Sequence, residues 1–588
     1  MKRSQLAAAI LMATGSFSAV AATYSVTPLP LQDTSRNTFA LSIDNSGKMM
    51  AATQLEYNPP IDIDQLENDT TFFDINGGLL ENEDDVLAGI FSNADYTLIV
   101  NYLLSTASSP VGQKLATYRT YITDTNDQEL VPGLDVKNGK FDNDYSWSVS
   151  ANGRDSIAGD YIVGDSTGLV IVEPYENEDG DEINYTYPES TIQGFVQAGN
   201  ESKRLPAVDD TLGGFSAARA INASLQIAGF STVSFNESLT TAIETCEDDE
   251  TLGDIPENYC KYLIYNSEFI LPEISDFFVS NAATSAFDYI YASEVNATIW
   301  QIDVNGDVIS TESYPLLFTP EEDNTIYFYT YALDINDNGI AVGEGMTGEF
   351  IGIARPSDST SIEYTEAQRV ATVFRNGETT ELLPRDENLN SQASAINNNN
   401  WVTGTVLRAT NDIARPRMFA YNIDTAEALY PQGFFSSSGV HANAINNNNI
   451  VVGRAETEAT SDAVRETSAF MFNIETEEFL DLNDLTQCES PYTLLEAVDI
   501  NDDNEIIANA RIKSTNRYVT GEEVLNDAGE TIPVDSIIAV KLSPITNGSV
   551  DDCSGTDDDE QPYERQGAST GFIGLLAGIA LVLFRRRR

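Results

Sequence analysis

Along most of the chain, short alternations of apolar and polar residues are interrupted by clusters of Asn, Asp and Gly, and one version of the pattern keeps returning. A small residue is followed by Ile, then Asn or Asp, then a polar turn, then a short apolar pair and a closing Gly or Ala. It reads Ala332-Leu333-Asp334-Ile335-Asn336-Asp337-Asn338-Gly339-Ile340-Ala341-Val342-Gly343, and again Ala393-Ser394-Ala395-Ile396-Asn397 through Trp401-Val402-Thr403-Gly404. Further copies carry Ile445, Ile500, Ile221 and Ile43, and a seventh, weaker one runs from Val149 to Gly159 with two extra residues. Period-two alternation predicts strands. Asn, Asp and Gly accept the positive φ of a tight turn, and a small closing residue lets neighbouring backbone approach. Each copy therefore predicts a β-hairpin with its Ile pointing into a core.

A second hairpin signal precedes most copies, as in Phe470-Met471-Phe472-Asn473-Ile474-Glu475-Thr476 and Phe419-Ala420-Tyr421-Asn422-Ile423-Asp424-Thr425. Two hairpins make four strands, and Ile396, Ile445 and Ile500 stand 49 and 55 residues apart. Four strands in about 40–50 residues is the size of a β-propeller blade. The expected fold is all-β, a propeller of about seven four-stranded blades over residues 23–548; a tandem of β-sandwiches is the alternative. Wider spacings early in the chain imply insertions, acidic at Glu81 to Asp85, Glu176 to Glu182 and Glu247 to Glu250. A lone strand-like run, Ala22 to Leu29, precedes the first copy, and Ile537 to Leu542 follows the last. A late strand completing the first blade would remove the open edges.

The two ends read as addresses. Met1-Lys2-Arg3, an apolar run from Leu6 to Val20 and small residues around Ala21 and Ala22 make residues 1–22 a secretory signal, cut by a signal peptidase. At the other end an acidic linker, 549–566, leads to Gly567-Ala568-Ser569-Thr570, an apolar segment from Gly571 to Phe584 and four arginines. Fourteen apolar positions span ~21 Å, short of a ~30 Å hydrocarbon core. Residues 567–588 resemble the GlyGly-type C-terminal sorting signal of exported bacterial proteins. That resemblance implies cleavage by a rhomboid-type sorting protease near Gly567 and Ala568, although Ala568 stands where the family usually has a second Gly. The expected location is the cell envelope or the medium, reached through a transient or lasting C-terminal membrane segment.

Charge narrows the partners. Lys and Arg number 31 against 92 Asp and Glu, for a formal net charge of -61. This excludes ordinary nucleic-acid binding, which needs cations to neutralise phosphates, and it suits a secreted protein kept soluble in salt. Four cysteines, Cys246, Cys260, Cys488 and Cys553, suggest two disulfides. Three pairings are open; Cys246–Cys260 would close a short acidic loop and Cys488–Cys553 would strap the C-terminal end. The sole histidine, His441, lacks a Gly-x-Ser-x-Gly elbow and reads as a loop residue at a blade edge. Asp334, Asn336 and Asn338 fit the opening D-x-N-x-N-G of a calcium loop, but Gly345 stands where a bidentate Glu belongs, and the same residues serve as a hairpin turn.

The Ala-x-x-Ile-Asn-Asn-x-Gly-x-Val-Val-Gly signature resembles the HAF-type repeat of exported bacterial proteins. With both ends, the whole chain resembles an exported family catalogued as a domain of unknown function, which implies an extracellular location and no established activity. The leading expectation is a secreted or surface-held scaffold that binds a polysaccharide or a surface protein, by analogy from fold. The alternatives are a carboxylate-dependent polysaccharide hydrolase and a structural envelope or matrix protein.

Overall fold

The computed structural model describes residues 23–550, apart from 269–292 and several shorter internal stretches. Seven antiparallel four-stranded sheets stand in a ring, so the chain is a β-propeller. The innermost strands are Ser35–Ile43, Ala151–Ile157, Ser216–Ile221, Thr330–Ile335, Ser391–Ile396, Val440–Ile445 and Thr493–Ile500, and they number the blades 1 to 7. Each lies beside the next, and the seventh lies beside the first. All but Ala151–Ile157 end on the Ile of a sequence copy. The stretches expected to be a signal peptide and a sorting tail, with Ala21, Ala22, Gly567 and Ala568, lie outside the described residues.

The seventh copy has a register different from the one expected. Ile157 ends the inner strand, Gly159 sits in the turn at φ 68°, and the closing small residue is Gly164, paired with Gly153. Ser156, paired with Ile162, stands where the other blades have their Ile, and one further pair, Ile157 with Tyr161, tightens the turn, which disguises the repeat.

Each inner hairpin carries a register shift just before its Ile, for example between Ala332 and Asp334 and between Ala393 and Ala395. An extra residue on one strand bends it and increases its twist. The closing glycines make room for this bulge: a Cβ on Gly404 would lie 2.0 Å from the Gln392 carbonyl oxygen.

The apolar core lies between blades. Phe470 and Phe472 of blade 6 pack with Met418 and Ala420 of blade 5, and Trp300 of blade 3 packs with Val163 and Val196 of blade 2. The signature Ile residues bury into these seams; a fully buried Ile contributes about 1.5–3 kcal/mol.

Closure occurs as expected in kind but in the opposite sense. The early strand completes the last blade: Thr23–Pro28 pairs with Pro533–Ile545 as the outer strand of blade 7, from Thr23 opposite Ile545 to Pro28 opposite Val540. Each blade starts with its inner strand, so a strand preceding the first inner strand belongs to the blade behind it in the ring.

The antiparallel order puts the turns between first and second strands on one face and the connections between second and third strands on the other. All large insertions leave through the second face. Blade 1 inserts helices, the longest Asn93–Ser105; blade 2 inserts a hairpin, Val170–Glu176 with Glu182–Pro188; blade 3 inserts the helices Glu237–Thr245 and Glu257–Glu268.

Candidate functional site

On the turn face, the first turn residue after the Ile is Asn in blades 3 to 7 and does two jobs. Its Oδ1 accepts from two amides of its own turn, as Asn336 does from Asn338 and Ile340, both at 3.1 Å. Its Nδ2 donates to the backbone carbonyl at the same position of the next blade. The chain of donors runs Asn222 to Asn336 (2.9 Å), Asn336 to Asn397 (3.0 Å), Asn397 to Asn446 (2.9 Å), Asn446 to Asn501 (2.9 Å) and Asn501 to Asp44 (3.2 Å).

The residues read as a calcium-loop opening fall in this ring, where Asn336 and Asn338 meet as donors, both Nδ2 groups reaching Asn400 Oδ1 at 3.0 and 3.3 Å, while Asp334 accepts backbone amides elsewhere. Asn336 bridges to blade 5. Asn338 Nδ2 donates to the Asn398 carbonyl at 3.2 Å. Asp334 serves backbone amides instead: one oxygen accepts from Ile335 N at 2.8 Å and the other from Ile396 N of blade 5 at 2.7 Å. Among the described residues, no group of three His, Cys, Asp or Glu side chains is arranged to hold a metal ion.

Asp155 and Asp499 do the same work as Asp334, accepting the amides of Ile221 (2.8 Å) and Ile43 (2.9 Å) in the following blades. An inner strand has an unpaired edge toward the axis, and these carboxylates satisfy some of its amides. Burial raises all three, Asp155 to about 8, Asp334 to about 6 and Asp499 to about 7. The charges of Asp334 and Asp499 add to the rise at Asp155. His441 is not in a loop: it stands in the inner strand of blade 6 opposite Arg454. Burial, then Arg454, lowers its imidazole to about 3, so it is neutral at physiological pH.

Cys246 and Cys260 form a disulfide with a Cα–Cα distance of 5.8 Å, joining the two helices of the blade 3 insertion. Cys488 is not a free thiol; Cys553, its expected partner, lies outside the described residues. No helix among the described residues is long and apolar enough to cross a membrane.

The insertion face carries two clefts. One, of about 490 Å³, lies between the blade 2 hairpin and the blade 3 helices, with Tyr187, Tyr262, Arg204 and Lys261 in its wall. Lys261 is paired with Glu247 and Glu257, both at 2.8 Å. The other, of about 330 Å³, lies over the seam where blade 7 meets blade 1. Its walls come from the start and the second strand of blade 1 (Arg36, Gln54, Tyr57), its helical insertion (Asn101), the linker to blade 2 (Trp147) and the blade 7 loop (Arg517, Tyr518).

The seam cleft is the candidate site because its frame is both tied down and strained. Asn58 N donates to Val519 O at 2.7 Å, and Asn93 Nδ2 to Glu522 at 2.8 Å, clamping the helical insertion to blade 7. In its floor a buried Arg119–Glu56 ion pair spans 2.8 Å, and the Arg119 guanidinium lies 4.0 Å from the Trp147 ring centre. Leu55, Asn58 and Trp147 have φ of 52°, 54° and 62°. For Leu and Trp this left-handed region is costly, and such strain clusters at ligand sites.

A profile of proteins of unknown function, DUF3466, matches residues 1–587. The chain belongs to the DUF3466 family. No curated protein matches this DUF3466 chain.

No local pattern of residues marks the seam cleft. Its residues come from the two ends and three intermediate segments of the DUF3466 chain, so nothing local joins them. One signal was available: Arg36, Arg119 and Arg517 are cations in a chain where acids outnumber bases by 92 to 31.

Proposed function

We propose that this DUF3466 protein is an exported, non-catalytic binding scaffold that takes an extracellular polysaccharide in the cleft over the blade 7–blade 1 seam. The observation that carries this reading is the cleft itself, an aromatic and polar recess on the one face to which every insertion is directed, walled by Leu55 and Trp147 in strained conformations. Aromatic faces and a few converging polar groups are the usual equipment of such sites. The Cys246–Cys260 disulfide supports an oxidising compartment. The HAF-type repeat, the signal segment and the sorting tail support export on the strength of the sequence.

The test is retardation of the purified protein in gels cast with bacterial exopolysaccharides. Wild-type protein is retarded in at least one, and a Tyr57→Ala/Tyr518→Ala double variant with unchanged melting is not. Retardation in none, or equal retardation of both proteins, removes the reading. Intact mass in culture fractions tests the address: a medium form starting near Ala22 and ending near Gly567 supports sorting, and a membrane form keeping Arg588 makes the tail an anchor.

A further inference from the structure

We infer that the seam cleft selects acidic sugars, so that its ligand is a polysaccharide carrying carboxylate or sulfate groups; this rests on the cleft being the binding site. Three guanidinium groups, Arg36, Arg119 and Arg517, line it against a single carboxylate, Glu56. That is the reverse of the chain as a whole, whose net charge is -61.

The three arginines are not equivalent. Arg119 and Glu56 are both buried and neutralise each other, with Thr53 Oγ1 donating to Glu56 at 2.7 Å. Such a pair is fixed and unavailable. Arg36 is exposed, and among the described residues it has no carboxylate partner; its Nη2 donates to the Asp535 carbonyl oxygen at 3.4 Å. Arg517 is held by a 2.8 Å hydrogen bond to Gly521 O and makes only long pairs, 3.6 Å to Asp33 and 3.7 Å to Glu523, whose carboxylates are exposed. Long exposed pairs contribute little. Arg36 and Arg517 are therefore positioned cations whose present partners a ligand anion can replace. The forked donors of guanidinium match carboxylate and sulfate.

The rest of the lining favours a sugar over a bare anion. Trp147 and Tyr518 offer flat apolar surface, and Gln54 and Asn101 offer amide groups for hydroxyls. Arg36, Tyr57 and Arg517 line the same recess; burial raises the Tyr57 phenol, the charges of Arg517 and then Arg36 lower it, and Asp33 raises it. The acidic exterior repels polyanions at long range, and at 0.15 M salt that field fades within about 8 Å. Binding is then decided inside the recess.

The experiment measures affinity of the full chain in 0.3 M NaCl for dextran, dextran sulfate, alginate and polyglutamate, beside an Arg36→Gln/Arg517→Gln double variant. Expected are at least tenfold tighter binding of dextran sulfate or alginate than of dextran, weaker binding of polyglutamate, and a tenfold or greater loss for the acidic polymers in the variant. The preferred one of the two acidic polymers says which anion the forks take. If dextran binds as tightly as dextran sulfate, acid selectivity fails and the binding reading survives. If polyglutamate matches alginate, the ligand is not a sugar. If no polymer binds, both readings fail. A melting curve of the variant equal to wild type excludes unfolding; if it melts early, Arg36→Gln alone, at an exposed side chain, takes its place.

Discussion

The Asn501 side-chain amide donates to the Asp44 backbone carbonyl at 3.2 Å, joining residues 457 positions apart across the closing seam. Asp44 is the one acid in the ring of turn asparagines, and its neighbour explains it. Blade 2 presents donors there, Ser156 Oγ at 3.2 Å and Gly159 N at 3.0 Å, so a carboxylate oxygen fits where an amide NH₂ would not.

The ring therefore predicts opposite demands at equivalent sites. Asn446→Asp removes two donations, to Asn501 O at 2.9 Å and Asn504 Oδ1 at 2.7 Å, and sets a buried charge against oxygens. It is expected to destabilise by about 3 kcal/mol or more. Asp44→Asn turns an NH₂ toward the Gly159 amide and is expected to cost about 1–2 kcal/mol. Urea unfolding of each single variant checks both.

The three axial aspartates predict how stability changes with pH. Their folded values, about 8, 6 and 7, lie above the unfolded carboxylate range. Between about pH 4 and those values the folded state holds protons that the unfolded state has released. Their contribution therefore falls as pH rises through this window, by at most about 1.4 kcal/mol per unit for each group. Thermal midpoints at pH 6 are expected to exceed those at pH 8.5. Asp155→Ala, which installs the residue type that blades 3, 5 and 6 carry at the same register position, should flatten that slope.

Cutting the floor of the cleft should be expensive. Glu56→Gln leaves the Arg119 guanidinium buried without its carboxylate, and the expected loss is about 3–5 kcal/mol. The same change also loosens the cation stacked on Trp147. A chemical denaturation curve with tryptophan fluorescence as readout follows both at once; an unchanged curve would show the pair to be dispensable.

Removal of the Cys246–Cys260 bridge is expected to act locally. The bridge closes a loop with a sequence separation of 14, for which the entropic contribution is about 3 kcal/mol. It sits in an insertion and not between blades. A Cys246→Ser/Cys260→Ser variant, which leaves Cys488 untouched, should open residues 237–268 to proteolysis while the main melting transition stays in place. A matching fall of that transition would mean that the insertion supports the ring.

Much of the ring was legible because its units are local. Ile335, the turn that follows and Gly343 lie within one hairpin, and each has a physical reason visible in a dozen residues. Blade 2 was harder because Ser156 stands where the other blades carry their Ile, and Ile157 where blades 3 to 7 carry the turn Asn. The role of Asn336 was open to two readings, since alternating oxygens suit a cation and a turn alike. The bond that Asn336 makes to the next blade goes to Asn397, 61 residues away. The cleft was not legible for the same reason carried further: Arg36 and Arg517 meet only because the circle closes.

The outer strand of blade 7 also sets an order of events. Thr23–Pro28 is the first strand to be synthesised, and its partner, Val540 to Ile545, is the last. At roughly 5–20 residues per second, it waits roughly half a minute to two minutes for that partner to exist. Until then blade 7 has no outer edge and blade 1 has no finished neighbour, so a chain interrupted anywhere before Val540 remains an open arc. Closure of the ring waits on its last paired stretch, whatever the other blades have already done.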